Sequence, residues 1–224
     1  MGASCAVGCA PRNEVRSIHR SARSTSMTFP ETATTSQLAI PARVMGPDFL
    51  RALSFAARKH RDQRRKDSGQ TPYINHPIAV ADILLNEAGV TDEVVLMAAL
   101  LHDTVEDTDT TFDELERLFG RVVRDVVAEV TDDKSLPKAE RKRLQIEHAA
   151  GLRDRAKLVK LADKISNVRD TVVSPPEGWP MTRIDEYLDW GKAVISPIRG
   201  THPQLEALFD HAYEQGKTTI TIGD

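Results

Sequence analysis

Eight consecutive apolar residues, Val94-Val95-Leu96-Met97-Ala98-Ala99-Leu100-Leu101, run straight into His102 and Asp103. Wound as a helix, such a run is apolar on nearly every side, so it has to be buried within other elements. It is far short of the ~20 apolar residues that cross a membrane, and no other run in the chain approaches that length. The chain around it supplies helices for the packing. From Pro47 onward the apolar period is helical almost throughout. Asp48 caps a first helix to about His60, and Pro77 sits in the first turn of a second that reaches Glu87. Thr91 precedes the buried helix, Asp92 to about His102. Thr111 with Glu114 forms a capping box, and Gly120 stops that short helix. Further helices are expected near 121–131, 138–149, 155–173, 182–197 and 203–215, with Thr218 to Ile222 as a short extended tail. Strand–helix alternation and a glycine-rich phosphate loop are both missing from the sequence. The reading is all-α, with one globular domain over 47–217 and a tail over 218–224.

Residues 1–46 differ from this body. They are rich in Ser, Thr and Ala, lack a sustained period, and set Arg12, Arg16, Arg20, Arg23 and Arg43 against Glu14 and Glu31. The segment reads as a disordered or dispensable extension or an overlong start; an Arg- and Ser-rich, acid-poor N-terminus also leaves mitochondrial targeting open beside a cytoplasmic location. The whole chain carries −3, so removing five arginines and two glutamates leaves a body near −6. Mixed charge of that sign argues against a general nucleic-acid binder. Both cysteines, Cys5 and Cys9, lie in the extension, which excludes a disulfide framework and a thiolate metal site in the body.

A buried helix that ends on an imidazole and a carboxylate, with Glu106 and Asp107 one turn later, needs compensation. Burying even a neutral polar group without a partner costs roughly 2–7 kcal/mol. A divalent cation supplies it, since neutral imidazole and carboxylate oxygen are both good donors. Neighbours inside a helix point about 100° apart, so His102 and Asp103 share an ion where the helix ends. The plainer alternative is a His102 that caps its own helix, with Asp103 exposed. Two further segments bear on this. Tyr73-Ile74-Asn75-His76-Pro77 sets a histidine at a helix start, and Asp163 stands in an otherwise apolar helix with Asn167 four residues on. Asp163 also reads as a salt-bridge partner for Lys160 or Lys164.

In order, His76, His102-Asp103 and Asp163 form the pattern of an HD-domain metallohydrolase. The stretches RRKDSGQTPYINHPIAVADIL, AALLHDTVEDTDTTFDELERLFG, VTDDKSLPKAERKRLQ and AKLVKLADKISNVRD resemble the hydrolase domain of RelA/SpoT-type alarmone enzymes. They are most similar to the stand-alone small alarmone hydrolases, the metazoan SpoT homologue group, from about Ala52 to Gly216. The resemblance implies an HD-type helical bundle that hydrolyses guanosine 3′,5′-bis(diphosphate) (ppGpp), and pppGpp, to GDP or GTP plus pyrophosphate. It implies one Mn²⁺ on His76, His102, Asp103 and Asp163, with Fe²⁺ and Zn²⁺ also suited to such donors. It places Glu106 and Asp107 on the hydrolytic water, Arg65, Lys66 and Asn167 at the nucleotide, and Lys138 and Arg183 at distal phosphates.

Residue chemistry favours Glu106 as the water-orienting base, with Asp107 as its partner. Of seven histidines, His19 lies in the extension, His60, His202 and His211 fall in polar or terminal contexts and His148 on a polar helix, which leaves two for one ion. Two basic clusters, Arg58 to Lys66 and Lys134 to Arg143, suit a compact polyanion, although Arg58, Lys59 and Arg61 read first as a solvated face. Two other functions fit the same residues: removal of the ribose 2′-phosphate of NADPH, and a catalytically silent nucleotide-sensing HD module. The oligomeric state is not read from the sequence.

Overall fold

The computed structural model describes residues 45–223. The N-terminal extension up to residue 44, with its cysteines and the targeting reading, lies outside the described residues. Ten α-helices follow in chain order: α1 Pro47–Lys59, α2 Asn75–Asp82, α3 Glu93–Leu101, α4 Thr104–Asp107, α5 Phe112–Phe119, α6 Arg121–Val130, α7 Lys138–Ala149, α8 Asp154–Val173, α9 Met181–Ile195 and α10 Pro203–Gly223. A π-helical turn, Ile83–Glu87, extends α2, and a 3₁₀ turn, Ser196–Ile198, follows α9. The described residues form no β-strand, and no described helix is long and apolar enough to cross a membrane.

The apolar run is the axis of the bundle. Val95 through Leu101 are all buried in α3, which packs against α1, α2, α6 and α8. Asp92 caps this helix, its Oδ1 accepting from Val94 N at 2.9 Å, while its Oδ2 accepts from Arg155 Nε on α8 at 2.7 Å. Thr111 Oγ1 accepts from Glu114 N at 3.1 Å at the start of α5. The Glu114 carboxylate turns instead to Lys59 Nζ at 3.1 Å, so only half of the expected capping box forms. Gly120, at φ 84°, links α5 to α6 in a conformation that only glycine adopts without strain. In the π-turn, Glu87 takes both Arg169 guanidinium nitrogens at 2.6 and 2.9 Å, which fastens α2 to α8.

The C-terminal expectation is corrected. Thr218 to Ile222 are not extended but continue α10 to Gly223. The hydroxyls of Thr218, Thr219 and Thr221 each donate to the carbonyl four residues back, at 2.9, 3.0 and 2.9 Å, and Ile220 packs on the core. β-Branched residues that read as strand formers thus complete a helix whose other face is already docked. The docking is close at Gly216, where a Cβ would stand 2.7 Å from Leu188 Cδ1 and 2.9 Å from Val172 Cγ2.

Leu100 is 1% exposed on α3 and Val122 is 52% exposed on α6. Leu100→Ala is expected to lower unfolding stability by about 2–5 kcal/mol, whereas Val122→Ala stays within about 0.5 kcal/mol. Urea denaturation of both variants measures the difference, and equal losses would remove α3 from the centre of the fold.

Candidate metal centre and active site

The helical path breaks where the site begins. α3 ends at Leu101, the chain passes through His102 and Asp103 (ψ −4°), and α4 restarts at Thr104. Thr104 Oγ1 donates to Leu101 O at 2.7 Å across the break. His102 Nδ1 bonds Ala99 O at 2.8 Å, so the imidazole does cap its own helix. That bond fixes the proton on Nδ1 and turns Nε2 inward as a lone pair. The capping half of the plainer alternative therefore holds, but its other half does not, because Asp103 is not exposed and stands beside Nε2 in the cluster.

His76, in the first turn of α2, meets it from the opposite side. Its Nδ1 lies 3.1 Å from Ser166 Oγ, which leaves its Nε2 inward too. His76 Nε2 stands 3.2 Å from Asp163 Oδ1 and 3.7 Å from Asp103 Oδ2; His102 Nε2 stands 3.1 Å from Asp103 Oδ2 and 3.7 Å from Asp163 Oδ1. The donor atoms of His76, His102 and Asp103 all lie within 4.8 Å of one another. His102 Nε2 is buried without a hydrogen-bond partner. An orphaned ring nitrogen beside two carboxylates and a second imidazole is the donor set a divalent cation fits.

Neighbours tune the cluster. Tyr73 Oη donates to Asp103 Oδ2 at 2.7 Å, and burial with the Asp103 charge pushes the phenol up, so it stays a donor. Asp163 accepts from Lys164 Nζ at 3.0 Å and from Asn167 Nδ2 at 2.5 Å. Its ion pair with Lys164 is thus real, while Lys160 turns away to Val130 O at 3.2 Å. Burial works against the charged forms of His102 and Asp103. Their mutual attraction outweighs it, holding His102 up to about 10 and the Asp103 carboxyl below its usual range. With no ion, a proton balances the carboxylates.

The two acidic residues of α4 face different ways. Glu106 lines a chamber of about 210 Å³ together with both histidines, Asp103 and Asp163. Its Oε2 accepts from Asp132 N at 3.2 Å and its Oε1 from Arg141 Nη1 at 3.3 Å. Burial first, then the charges of Asp103 and Asp132, push it up to about 7. Asp107 lines the neighbouring cleft of about 700 Å³. There it accepts from Gln63 Nε2 at 2.9 Å and from Lys134 Nζ. His60 bonds Gln63 Oε1 through Nδ1 at 2.7 Å and is buried, not in the polar context its sequence suggested.

The basic residues sort themselves. Arg65 and Lys66 line the larger cleft, held by Arg65 N to Thr71 O at 2.9 Å and Glu177 N to Lys66 O at 2.9 Å. Arg65 Nη2 donates to Asp170 Oδ2 at 2.7 Å and to Asn167 Oδ1 at 3.3 Å. Asn167 thereby joins the cleft to Asp163. Lys138 lines both spaces. Arg183 lines neither; its guanidinium sits 4.3 Å from the Trp179 ring centre, beside Lys138. Lys59 is taken by Asp109 and Glu114, Arg61 by Asp62, and Arg143 by Glu140 and Glu147, so these do not serve the site. Sequence reasoning missed Tyr73 and Ser166 as site residues and counted Arg141 only within a basic cluster, not as the partner of Glu106. Tyr73 stands within the quoted YINHP stretch, three residues before His76, which was the one available signal.

Residues 52–185 match the HD domain model. The chain belongs to the HD-domain family. Within it, the chain is 60% identical over 171 residues to the human protein named guanosine-3′,5′-bis(diphosphate) 3′-pyrophosphohydrolase MESH1, spanning 76% of this chain and 96% of that one. The Drosophila melanogaster protein of the same name is 57% identical over 167 residues, covering 75% and 93%. A solved structure described as a metazoan ortholog of SpoT that hydrolyzes ppGpp and plays a role in starvation responses superposes with a TM-score of 0.76. It shares 55% identity and covers 78% of this chain and 98% of that chain. By fold and similarity the chain is of the MESH1 type, and His76, His102 and Asp103 form the His/His/Asp cluster typical of HD domains.

Removing the hydrogen bond from Tyr73 to Asp103 loosens a ligand without touching the ion. Tyr73→Phe is expected to weaken divalent-metal affinity by about 10–100-fold, read by competition with a metallochromic chelator. Unchanged affinity would show that Tyr73 does not orient Asp103.

Proposed function

We propose that this protein is a metal-dependent ppGpp 3′-pyrophosphohydrolase that converts ppGpp and water to GDP and pyrophosphate, and pppGpp to GTP and pyrophosphate. The observation that carries the reading is Glu106 facing the His76, His102 and Asp103 cluster in one chamber, in a chain that spans 96% of the length of a protein named for that activity, at 60% identity.

His76 Nε2, His102 Nε2, Asp103 and Asp163 would hold one Mn²⁺; Fe²⁺ and Zn²⁺ suit the same nitrogen and oxygen donors. When bound, the ion acidifies water and offsets charge on phosphoryl oxygens. Tyr73, Lys164 and Asn167 keep the two carboxylates aimed at it. Attack at the phosphorus attached to the ribose 3′ oxygen breaks that P–O bond. The water's oxygen ends in pyrophosphate, and the ribose oxygen takes up a proton. Glu106 accepts the water's proton, since it lines the cluster chamber and its carboxyl sits near neutrality. Asp107, tied to Gln63 and Lys134, orients the rim between the two spaces. Arg65, Lys66 and Asn167 take the nucleoside end in the larger cleft. Lys138, at the junction, and Arg183, beside it, meet the remaining phosphates. The ligand is a small nucleotide, not a nucleic acid or a membrane.

Purified protein with Mn²⁺ is expected to release pyrophosphate from ppGpp; phosphate released only from NADPH, or binding without turnover, would overturn the reading. Glu106 must be ionised to act, and Asp103, Asp107, Asp132 and Arg141 are the charges around it. kcat/KM should therefore fall with falling pH along a limb centred at or below about 7, the cation drawing it downward. Glu106→Gln should remove that limb and lower the rate by roughly 10²–10⁴-fold. A limb that persists in the variant would assign the proton transfer elsewhere.

A further inference from the structure

His60 closes α1 with its main chain, its N donating to Ala56 O at 2.9 Å, yet the residue is only 1% exposed and no step of the hydrolysis touches its ring. The imidazole lies under the Tyr73 ring, and its Nε2 is buried without a hydrogen-bond partner. An orphaned polar atom in the interior is costly, and a leucine would fill much of the same space without it. Packing alone therefore does not account for an imidazole at this position. The other ring nitrogen does.

The hydrogen-bond chain that starts there runs in one direction only. An ionised carboxylate accepts and never donates, so the Gln63 atom 2.9 Å from Asp107 Oδ2 is the amide Nε2. Gln63 Oε1 then faces His60 Nδ1 at 2.7 Å as the acceptor. That places the imidazole proton on Nδ1 and leaves Nε2 as the orphaned lone pair. The main chain holds Gln63 as well: its N donates to His60 O at 3.0 Å, and its O accepts from Tyr73 N at 3.1 Å. The other Asp107 oxygen takes Lys134 Nζ, whose side chain is 48% exposed. An exposed lysine holds a carboxylate loosely, because ordering its long side chain costs rotamer entropy. Gln63 is thus the fixed side of Asp107.

We propose that His60 is a positioning residue for the hydrolysis, acting through Gln63 to fix the Asp107 carboxylate at the rim between the metal chamber and the larger cleft. The inference rests on the ppGpp reading, in which Asp107 is the partner of Glu106. The ring pair of His60 and Tyr73 then serves two acids at once. Tyr73 Oη holds Asp103 within the cluster, and His60, by way of Gln63, holds Asp107 beside it.

The test uses two substitutions of nearly equal shape. Leucine and asparagine both lack the ring, but asparagine keeps an N–H where Nδ1–H stood. In Mn²⁺-loaded protein, His60→Leu should lower kcat for ppGpp about fivefold, the rate equivalent of one neutral hydrogen bond, with KM and bound Mn²⁺ changed less than about twofold. His60→Asn should stay within about twofold of wild type. In an Asp107→Asn background the two variants should become equal, because residues that act through one another are not additive. A loss shared equally by His60→Leu and His60→Asn, or a contrast that survives Asp107→Asn, overturns the positioning role. Nitrogen NMR at mildly alkaline pH, with diamagnetic Zn²⁺ in place of Mn²⁺, reads the chain without catalysis. The His60 resonances, assigned by their loss in His60→Asn, should show the proton on Nδ1; a proton on Nε2 breaks the chain at its first link and overturns the proposal. If wild-type protein hydrolyses ppGpp and the contrast is missing, the positioning role alone fails. If wild-type protein does not hydrolyse ppGpp, the activity reading fails and the positioning role with it.

Discussion

Two imidazoles and two carboxylates converge at the end of a helix that has no polar face, and most of the structure answers to that fact. Such a group is tolerable only when its charge is balanced and its remaining polar atoms are held. Ala99 O and Ser166 Oγ take the outer ring nitrogens, and Tyr73, Lys164 and Asn167 take the carboxylate oxygens. What is left over is a set of inward lone pairs and a charge deficit. A proton on His102 meets that deficit, and so does a divalent cation, which makes metal binding and proton release two sides of one equilibrium.

The surrounding elements follow from the need to place four donors from three separated segments. α3 delivers His102 and Asp103 just past its last turn, α2 brings His76 on its first, and α8 brings Asp163 from its buried middle. The Glu87–Arg169 pair ties α2 to α8, and Asp92–Arg155 ties α3 to α8. Each fastening links two of the segments that carry ligands. The charge is arranged radially as well: acids at the cluster, cations along the inner chamber and the outer cleft. A near-neutral whole-chain charge conceals this separation.

Much of this was legible in the sequence because burial and period are local signals. The all-round apolar run foretold the central helix, and helix limits near Gly120, at 138–149 and at the start of α8 fall within a residue or two of those observed. The misreadings have physical causes. Thr218 to Ile222 look like a strand because propensity ignores that α10 is already docked and that threonine hydroxyls close on their own helix. His60 sits among charged residues in the chain but folds under Tyr73, with ring centres 5.0 Å apart. Lys59 counted toward a basic cluster until Asp109 and Glu114, more than forty residues on, proved to claim it. The separation of Glu106 from Asp107 depends on which wall of α4 meets which space, and adjacent carboxylates carry no such information in sequence.

The central claim is that one cation is held by four side chains through Nε2 and carboxylate oxygen alone. Anomalous scattering at the manganese edge, from crystals of the Mn²⁺-loaded protein, tests it directly. The expected result is a single peak within coordination distance of Nε2 of His76 and His102 and of one oxygen each of Asp103 and Asp163. A second peak in the chamber, coordination through Nδ1, or a peak that leaves Asp163 outside its ligands would contradict it.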